Sequence, residues 1–382
     1  MRVTGCELLR LRLPFRSAFR HAAAERSASD TILVVLEDGE GHRGFGEILA
    51  RSYVTGETND EIFATGAPEL GAVVVGLRFD NQAALLSFLL AELESQRWQP
   101  ALFGGFEAAL INLLEQNGRW DPSEILGPRR TSAPGNCFTI GLGEASEENV
   151  RRRAREARLS GATVVKVKVG EENDVARLHG LNQCWRGAMP LRLDANGMLS
   201  PDGARALLGE CAALPIQSLE QPYAAGDSEL TAKLRDLYAQ TGVPLVADES
   251  VCRLDEARRW ATSGGYQAFN VRVGKCGGLL ASSRIMNVAR TSGIRLLGGS
   301  MVGESAVLRH ASELLLLHSE DLPYVEGLRQ NRSLLAFEPV EVVAYGETAV
   351  FHLREESRGS CCVARKRIDS AFIPSFEPER NA

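Results

Sequence analysis

Several features that would identify common classes of protein are missing from this 382-residue chain. It has no excess of basic residues: 43 Lys and Arg stand against 49 Asp and Glu, a formal net charge of −6. This balance argues against a nucleic-acid or anionic-membrane partner. Nowhere do 18 consecutive apolar residues occur, so no membrane span is expected. No glycine-rich phosphate-binding pattern follows a predicted strand, so no nucleotide cofactor is implied. The length is typical of a soluble globular protein of about two domains.

Paired cysteines and a leader sequence are also missing. None of the eight cysteines forms a CxxC pair, which argues against a zinc site. Reduced, mostly buried thiols of a cytoplasmic protein are the simpler interpretation. The first 13 residues, MRVTGCELLRLRL, alternate apolar and charged residues, which predicts a strand and not a signal peptide.

The first part of the chain mixes strands and helices. A hairpin is predicted at residues 31–36 and 45–49, and helices at 82–96 and 105–116. Polar loops are predicted at 16–30 and 50–61, and a linker rich in Gly, Pro and Arg at 118–135. Beyond residue 332, strand-like segments at 338–344 and 349–353 are expected to return to this first domain.

After the linker, short apolar strands alternate with helices. Polar residues end five of these strands, at Lys168, Asp194, Glu220, Asp248 and Lys275, and their separations are 26, 26, 28 and 27 residues. One strand–helix unit has about this length, so the five side chains are expected at one height around a closed barrel. The sequence predicts an α/β fold, with a modified TIM (β/α)7β-type barrel at residues 126–335 and an α+β capping domain formed by residues 1–125 and 336–382. The predicted barrel strands are 163–169, 191–194, 216–220, 245–248, 269–273, 295–297 and 324–326.

Three of the strand ends are carboxylates, in the contexts LRLDANG, SLEQP and VADES. A single strand-end Asp more often caps a helix. Three on consecutive strands of a closed barrel must converge, and a divalent cation removes their repulsion. Oxygen ligands that leave room for water and substrate favour Mg²⁺, with Mn²⁺ as an alternative, bound by Asp194, Glu220 and Asp248. Glu249 would point to the other face of its strand and support the site from behind.

Lysines are the second group at the predicted mouth. In VVKVKVG, Lys166 and Lys168 are two residues apart, so both point into the barrel. Lys275 ends a strand four units around the ring, which predicts a position across the mouth from Lys168. Two lysines on opposite sides of a bound carboxylate substrate suit proton transfer at its α-carbon: one removes a proton and the other delivers one to the opposite face.

Five motifs occur in order over residues 160–330: Lys166-x-Lys168, Asp194-x-Asn196, Glu220-Gln-Pro222, Asp248-Glu249-Ser250 and Lys275-x-Gly277-Gly278. Together they resemble the enolase superfamily, muconate lactonizing enzyme subgroup, and the two chain ends fit that family's capping domain. The resemblance implies that Asp194, Glu220 and Asp248 ligate Mg²⁺. It also implies that Lys168 and Lys275 form the acid–base pair and that Lys166 assists electrostatically.

Capping loops select the substrate in this family, and FRSAFRHA and YVTGET, at residues 15–22 and 53–58, are similar to loops of the dipeptide epimerases. Arg20 would then meet a substrate carboxylate, although a plain surface arginine is the competing interpretation. The eighth strand departs from that group: Tyr324-Val325-Glu326 replaces the Asp-x-Asp that holds a substrate ammonium, so that only Glu326 is available. The remaining implied substrate contacts are Thr55, Asn196, Ser300 and Met301.

The leading functional prediction is a Mg²⁺-dependent isomerase of the dipeptide epimerase type, which acts on a small carboxylate, with dipeptides among the candidates. The alternatives are a lyase or cycloisomerase, such as an o-succinylbenzoate synthase or a muconate-type cycloisomerase, and a catalytically silent barrel that only binds. Symmetric oligomers are common in this family, so a homo-oligomer is one expectation, while the sequence by itself leaves the oligomeric state open. Substrate identity is left open by the altered eighth strand.

Overall fold

The structure of the chain is a computed structural model, which describes residues 1–21, 24–143, 146–226, 229–344 and 348–369. A π-helical turn at Ile62–Gly66 and a 3₁₀ turn at Glu355–Ser357 complement the regular elements. The strands are β1 Val3–His21, β2 Ala24–Asp38, β3 Arg43–Ile48, β4 Gly135–Ile140, β5 Val164–Lys168, β6 Leu191–Asp194, β7 Ile216–Glu220, β8 Leu245–Ala247, β9 Ala268–Val271, β10 Arg295–Gly298, β11 Tyr324–Glu326, β12 Val340–Ala344, β13 Val350–Leu353 and β14 Cys362–Asp369. The α-helices are α1 Ser52–Thr55, α2 Asn59–Glu61, α3 Ala67–Val74, α4 Gln82–Ser95, α5 Pro100–Gln116, α6 Ser123–Leu126, α7 Glu147–Leu159, α8 Asp174–Trp185, α9 Pro201–Glu210, α10 Leu230–Thr241, α11 Leu254–Ser263, α12 Val273–Cys276, α13 Gly278–Thr291, α14 Ala306–Leu317 and α15 Leu328–Leu334.

Eight parallel strands, β4 to β11, close into a barrel in the order β10-β11-β4-β5-β6-β7-β8-β9. The strands are short and mainly apolar because helices cover them outside and the packed interior covers them inside. The predicted barrel is confirmed, and all seven strands that the spacing indicated are present. The first strand, β4, was missed because its six residues directly follow the Gly- and Pro-rich linker. No helix among the described residues is long and apolar enough to cross a membrane.

The second body of structure is an antiparallel sheet in the order β14-β1-β2-β3. Because β14 pairs with β1, the sheet joins both ends of the chain. The predicted strands near 340 and 350 form a separate hairpin, β12–β13. The predicted polar loop at 16–30 is wrong: β1 runs on to His21 and pairs with β2 across a register shift between Pro14 and Phe19. The exact limits of the capping and barrel domains stay a prediction.

Helix α5 of the capping region packs so closely on β3 that only glycine fits at the contact. A Cβ atom on Gly46 would lie 1.8 Å from the carbonyl oxygen of Gly105, and one on Gly105 would lie 2.3 Å from the Ile48 side chain. Any larger residue at either position would separate the sheet from the helix. This contact places β3 and α5 where each can carry a buried glutamate to the barrel.

Two buried glutamates connect the capping region to the starts of barrel helices. Glu47 of β3 accepts hydrogen bonds from the Ser305 hydroxyl at 2.7 Å and from the Ser305 and Leu308 N–H groups at α14. Glu107 of α5 accepts from the N–H groups of Leu279 and Leu280 at the start of α13, at 2.5 and 2.9 Å. Each carboxylate satisfies N–H groups that have no partner within their own helix. We call the contacts of Glu47 with the start of α14 and of Glu107 with the start of α13 the seam.

Candidate active site

The carboxyl ends of barrel strands β5 to β8 bring the predicted charged residues to one mouth. Lys168 is in register with Asp194, and Asp194 is in register with Glu220. Asp248 directly follows β8, and its N–H donates to the Gln221 side-chain oxygen at 3.0 Å. Parallel strands in register present their end residues at one height, which explains why the regular sequence spacing placed these groups together.

The three predicted metal ligands are completely buried, and each lies close to a cation. Asp194 Oδ2 is 2.9 Å from Lys166 Nζ and 2.6 Å from Lys168 Nζ. Glu220 Oε1 accepts a hydrogen bond from Lys166 at 2.9 Å. Asp248 Oδ2 is in ionic contact with the Arg272 guanidinium. Buried carboxylates need such partners, and they have them here.

A buried group of four charges lies below the mouth, inside the barrel. Glu326 Oε1 is 2.6 Å from Lys166 Nζ, and its Oε2 is 3.1 Å from an Arg192 nitrogen. Arg192 reaches Glu220 Oε2 at 2.8 Å. Glu326, predicted to bind a substrate ammonium, is therefore already held by two protein cations. Arg192 was not predicted, although its place two residues before Asp194 puts it on the same inward face of β6.

Burial and neighbouring charge act in opposite directions on these groups. Burial disfavours the ammonium of Lys166, but Asp194, Glu220 and Glu326 outweigh it and hold the Lys166 pKa above its usual value. Burial likewise opposes the Asp194 carboxylate, and Lys166 and Lys168 outweigh it, so the Asp194 pKa lies well below its usual range. The pKa of Glu220 is lowered as well, whereas burial raises the pKa of Glu249. Asp194 and Glu220 are thus kept ionised by the cations beside them.

The three carboxylates that were predicted as metal ligands have the chemistry that a divalent cation requires. In this structure, however, they are not spaced to hold one. In the part of the chain that the structure describes, no group of three metal-binding side chains is close enough to hold an ion. Lys166 lies between Asp194 and Glu220, and Arg272 lies against Asp248. Among the described residues neither oxygen of Asp248 accepts a hydrogen bond, although each faces a cation. Three buried carboxylates at the ends of adjacent strands supply the oxygen donors that a Mg²⁺ ion prefers.

Lys168 is held at the edge of the mouth by two further predicted residues. Its Nζ donates to Asp194 at 2.6 Å and to Asn196 Oδ1 at 2.5 Å. Asn196 donates in turn to Glu249 Oε1 at 3.1 Å. Asn196 is therefore committed to orienting Lys168, and Glu249 supports it, whereas substrate contact by Asn196 stays a prediction. The Lys168 side chain is 11% exposed, unlike that of Lys166 at 1%.

Lys275 does not face the mouth as the strand spacing predicted. It lies in α12, beyond the end of β9, and its Nζ donates to the backbone oxygens of Asp248 and Val251, both at 2.6 Å. The side chain is fully buried, with Asp248 Oδ1 3.4 Å away. The reason is local: the barrel strand ends at Val271, so the first side chain beyond it that reaches the mouth is that of Arg272. Arg272 is the residue that sequence reasoning missed.

A cavity of about 410 Å³ opens at this mouth. Lys166, Lys168, Arg272, Ser300 and Glu326 line it, together with Phe138 and Arg153 from the first strand–helix unit. Neither Lys275 nor Thr55 nor Met301 belongs to the described lining. Met301 is buried with its sulfur 3.9 Å from an Arg272 nitrogen, and Ser300 donates to the Glu326 backbone oxygen at 2.9 Å. The Arg20 side chain lies outside the described residues.

Comparisons with known proteins agree with this geometry. The family model for enolase C-terminal domain-like proteins matches residues 149–345. The chain is 32% identical over 294 residues to the L-Lys-D/L-Arg epimerase of Methylococcus capsulatus, covering 75% of this chain and 78% of that protein. It is 26% identical over 315 residues to the N-succinyl-L-Arg/Lys racemase of Bacillus cereus, covering 81% and 83% of the two chains.

A solved structure shows the same fold over almost the whole chain. The dipeptide epimerase of Cytophaga hutchinsonii, in complex with Mg and the dipeptide D-Ala-L-Val, superimposes with a TM-score of 0.83 at 22% identity. It covers 97% of this chain and 100% of the other. The matched family, the epimerase relatives and the shared barrel lead to one conclusion: the chain is an enzyme of the enolase superfamily, in the branch that includes the dipeptide epimerases and the muconate lactonizing enzymes.

Proposed function

We propose that the protein is a Mg²⁺-dependent isomerase that removes the proton α to a substrate carboxylate, as an epimerase does. The observation that carries this proposal is Lys168, an amine exposed to the cavity and held 2.6 Å from one of three buried strand-end carboxylates. Asp194, Glu220 and Asp248 would hold the ion, with Mn²⁺ as a possible substitute. When bound, the ion supplies positive charge beside the substrate carboxylate.

The side chains of the mouth account for the remaining requirements of the reaction. Lys168 accepts the α-proton, and the electron pair of the broken C–H bond moves onto the carboxylate to give an enediolate. Lys166, buried and positive, lowers the energy of that second negative charge. In the two-lysine mechanism predicted from the sequence, Lys275 would reprotonate the other face of the substrate. The burial of Lys275 behind Asp248 argues against that role.

The cavity wall favours a carboxylate substrate whose amine carries no charge. Four cations line the cavity, Lys166, Lys168, Arg153 and Arg272. Its two described acids are already paired, Glu326 with Lys166 and Glu156 with Arg153 at 2.5 Å. An N-acylated amino acid is therefore compatible with this positively charged wall. A dipeptide is compatible as well, provided that the α-proton removed is that of its C-terminal residue, which carries the free carboxylate.

A second candidate is a single-face reaction, an elimination or cyclisation of the kind carried out by o-succinylbenzoate synthases and muconate cycloisomerases. The observation that favours it is that, among the described residues, Lys166 and Lys168 are the only amines on the cavity wall, and both lie on β5. A reaction that moves protons on one face needs no second lysine opposite. A silent binding barrel would show no turnover in the test below.

The test is solvent exchange with the intact chain. The protein is incubated with Mg²⁺ in heavy water and with L-alanyl-L-glutamate, L-lysyl-L-arginine, N-succinyl-L-arginine and o-succinylbenzoate precursors, and α-deuterium, D-product and dehydrated product are measured by mass spectrometry and chiral chromatography. We expect α-deuterium incorporation that Lys168→Ala lowers at least about 10²-fold. Lys233→Ala, which changes a lysine on outer helix α10, is the control. Exchange that survives Lys168→Ala would overturn the proposal.

Two properties of the whole protein belong to the same proposal. All eight cysteines are free thiols in the structure, which supports a reducing, cytoplasmic location. A symmetric homo-oligomer is the expected state, and light scattering coupled to size-exclusion chromatography tests it. Neither nucleic acid nor membrane is expected among the partners, given the acidic net charge.

A further inference from the structure

Arg272 occupies the position across the barrel from Lys168. In the closed ring, β9 is four strands from β5 in both directions, so a residue at the end of β9 lies on the opposite side of the mouth. Arg272 directly follows β9 and lines the cavity, with 11% of its side chain exposed. Lys275, three residues on, is fully buried and lies outside the cavity lining.

The contacts of Lys275 are those of a structural residue. Its ammonium donates to the backbone oxygens of Asp248 and Val251, and so fixes the turn that carries Asp248 and Glu249. An ammonium has three N–H donors, and these two carbonyls with the nearby Asp248 carboxylate account for them. Moving Lys275 to the substrate would remove its ammonium from both buried oxygens. The Asp248 oxygen would keep the Val251 N–H, and the Val251 oxygen would keep the weak Cys276 thiol donor, so charge-assisted hydrogen bonds would be lost at a buried site.

The contacts of Arg272 leave donors available to a ligand. One guanidinium nitrogen, Nη2, contacts Asp248 and lies 3.7 Å from Glu220. Within the described part of the chain, the other nitrogen, Nη1, has only the Met301 sulfur at 3.9 Å, and the buried Nε–H has no hydrogen-bond partner. A guanidinium with unpaired N–H groups next to a cavity is suited to hold a carboxylate through two parallel hydrogen bonds.

The use of lysine in the whole chain points the same way. The chain has 43 Lys and Arg residues, and only five of them are lysines. Three of these five, Lys166, Lys168 and Lys275, lie at or behind this mouth. Arginine is therefore the usual source of positive charge in this chain, and the lysines away from the mouth are Lys233 and Lys366. Lysine is kept at 166 and 168, where an ammonium meets carboxylates, and at 275, where a compact ammonium fits between two carbonyls.

We propose that Arg272, and not Lys275, faces the substrate from the side opposite Lys168, holding its carboxylate without transferring protons, so that the α-proton moves through Lys168 on one face only. The inference rests on the proton abstraction proposed above, and of the two candidate reactions it favours the single-face one over inversion. A guanidinium stays protonated in proteins, so it supplies charge and hydrogen bonds but is not an acid–base group.

The steps balance on a single amine. The Cα–H bond breaks, its proton binds the lone pair of the Lys168 amine, and the electron pair enters the enediolate. The resulting ammonium exchanges with heavy water and returns a deuteron to the same face of Cα, which restores the amine and the starting configuration. Inversion would require a proton donor on the Arg272 side, where the described residues offer none that exchanges readily.

The decisive measurement compares exchange with inversion in the wild-type chain. The probe is whichever of the L-configured compounds named above exchanges fastest, with Mg²⁺ in heavy water. We expect α-deuterium in the L-compound to appear about 10²-fold faster than the D-epimer, because general acid–base assistance is missing on one face. Inversion as fast as exchange would overturn the role of Arg272 and leave the proposed proton abstraction intact. No exchange with any probe would instead reject the proton abstraction itself.

Two variants sharpen the result. Arg272→Lys places an amine on the second face, and we expect it to raise inversion relative to exchange at least tenfold, which a merely structural role would not do. Its Mg²⁺-dependent rise in melting temperature should remain, as a sign that the ligands are intact.

Lys275→Met should lower thermal stability but leave the exchange-to-inversion ratio unchanged. If it fails to fold, the wild-type ratio and Arg272→Lys still decide, and a folded Lys275→Met that selectively loses inversion would refute the assignment.

Discussion

The mouth of the barrel and the seam both bury carboxylates completely, but they satisfy them in opposite ways. At the mouth, Asp194 and Glu220 meet lysine and arginine side chains, and their pKa values are lowered. At the seam, Glu47 and Glu107 meet N–H groups at helix starts with no cation in hydrogen-bond contact, and their pKa values are raised. Burial is the same in the two regions, so the partner decides the charge state.

This difference matches what each region must do. Formal positive charges near a carboxylate keep it ionised and ready to bind a cation or a charged intermediate. Helix N–H groups hold a carboxylate in place with less charge stabilisation, which is enough to attach the capping sheet to helices α13 and α14. The mouth is therefore organised for charge, and the seam for position.

Removing one metal ligand should have the largest effect. Asp248→Asn keeps the size of the side chain but removes the charge that a divalent cation requires. We expect α-proton exchange to fall at least about 10³-fold, equivalent to about 4 kcal/mol of transition-state stabilisation. The Mg²⁺-dependent rise in melting temperature should vanish as well. Asp255→Asn, on the exposed start of α11, is the control, and a full Mg²⁺ response in Asp248→Asn would contradict the ligand assignment.

Breaking the buried group below the mouth should cost the most stability. Glu326→Ala removes one of the two carboxylates that Lys166 and Arg192 share, leaving Glu220 alone to pair with both of these buried cations. We expect the free energy of unfolding in urea to fall by about 3–5 kcal/mol. Glu147→Ala, which removes an exposed partner of Arg151 on α7, should change it by less than about 0.5 kcal/mol. Equal losses in the two variants would show that the buried pairing contributes nothing special.

A neutral isostere at the seam should be tolerated better than at the mouth. Glu107→Gln keeps one oxygen for the N–H groups of Leu279 and Leu280 and turns an amide towards the other. We expect a loss of about 1–2 kcal/mol at pH 5, close to the ordinary carboxyl pKa of 4.5, from one hydrogen bond. Glu326→Gln, measured in the same urea titration, should lose more because two cations face it. The reverse order would reject the contrast between the regions.

The smallest expected effect is a difference in pH dependence. Burial raises the pKa of Glu107 from an ordinary 4.5 to about 8, so the folded state binds a proton that the unfolded state releases. Its contribution to stability is thus present below pH 4.5 and lost as the pH rises towards 8. Asp194, with a lowered pKa, contributes above its ordinary value of 3.8 and loses that contribution as the pH falls.

Unfolding free energies from pH 5 to 8 should therefore decline less steeply in Glu107→Gln than in the wild type. One proton accounts for at most about 1.4 kcal/mol per pH unit of that difference. Parallel curves for the two chains would show that Glu107 does not titrate in this window.

Much of the fold was predictable because it depends on local, repeated signals. Alternating strands and helices at intervals near 27 residues predict a barrel, and strand register then brings Lys168, Asp194 and Glu220 to one height. The long β1–β2 hairpin was not predictable, because polar residues such as Arg16 look the same in a loop and in an exposed pair of strands. Strand β4 was hidden by the neighbouring glycines and prolines of the linker.

The residues of the candidate site can be separated in the same way into what the sequence predicted and what it could not. The sequence by itself determined which residues are chemically able to act, because carboxylates and lysines at strand ends converge in any closed barrel. Only the tertiary structure decided which of them line the cavity. A strand that ends at Val271 turns Arg272 into the cavity and Lys275 towards the backbone of Asp248, and a contact from β11 commits Glu326 to Lys166. Spacing along a chain fixes the height of a side chain on a barrel, whereas its direction depends on where the strand ends and on what packs beside it.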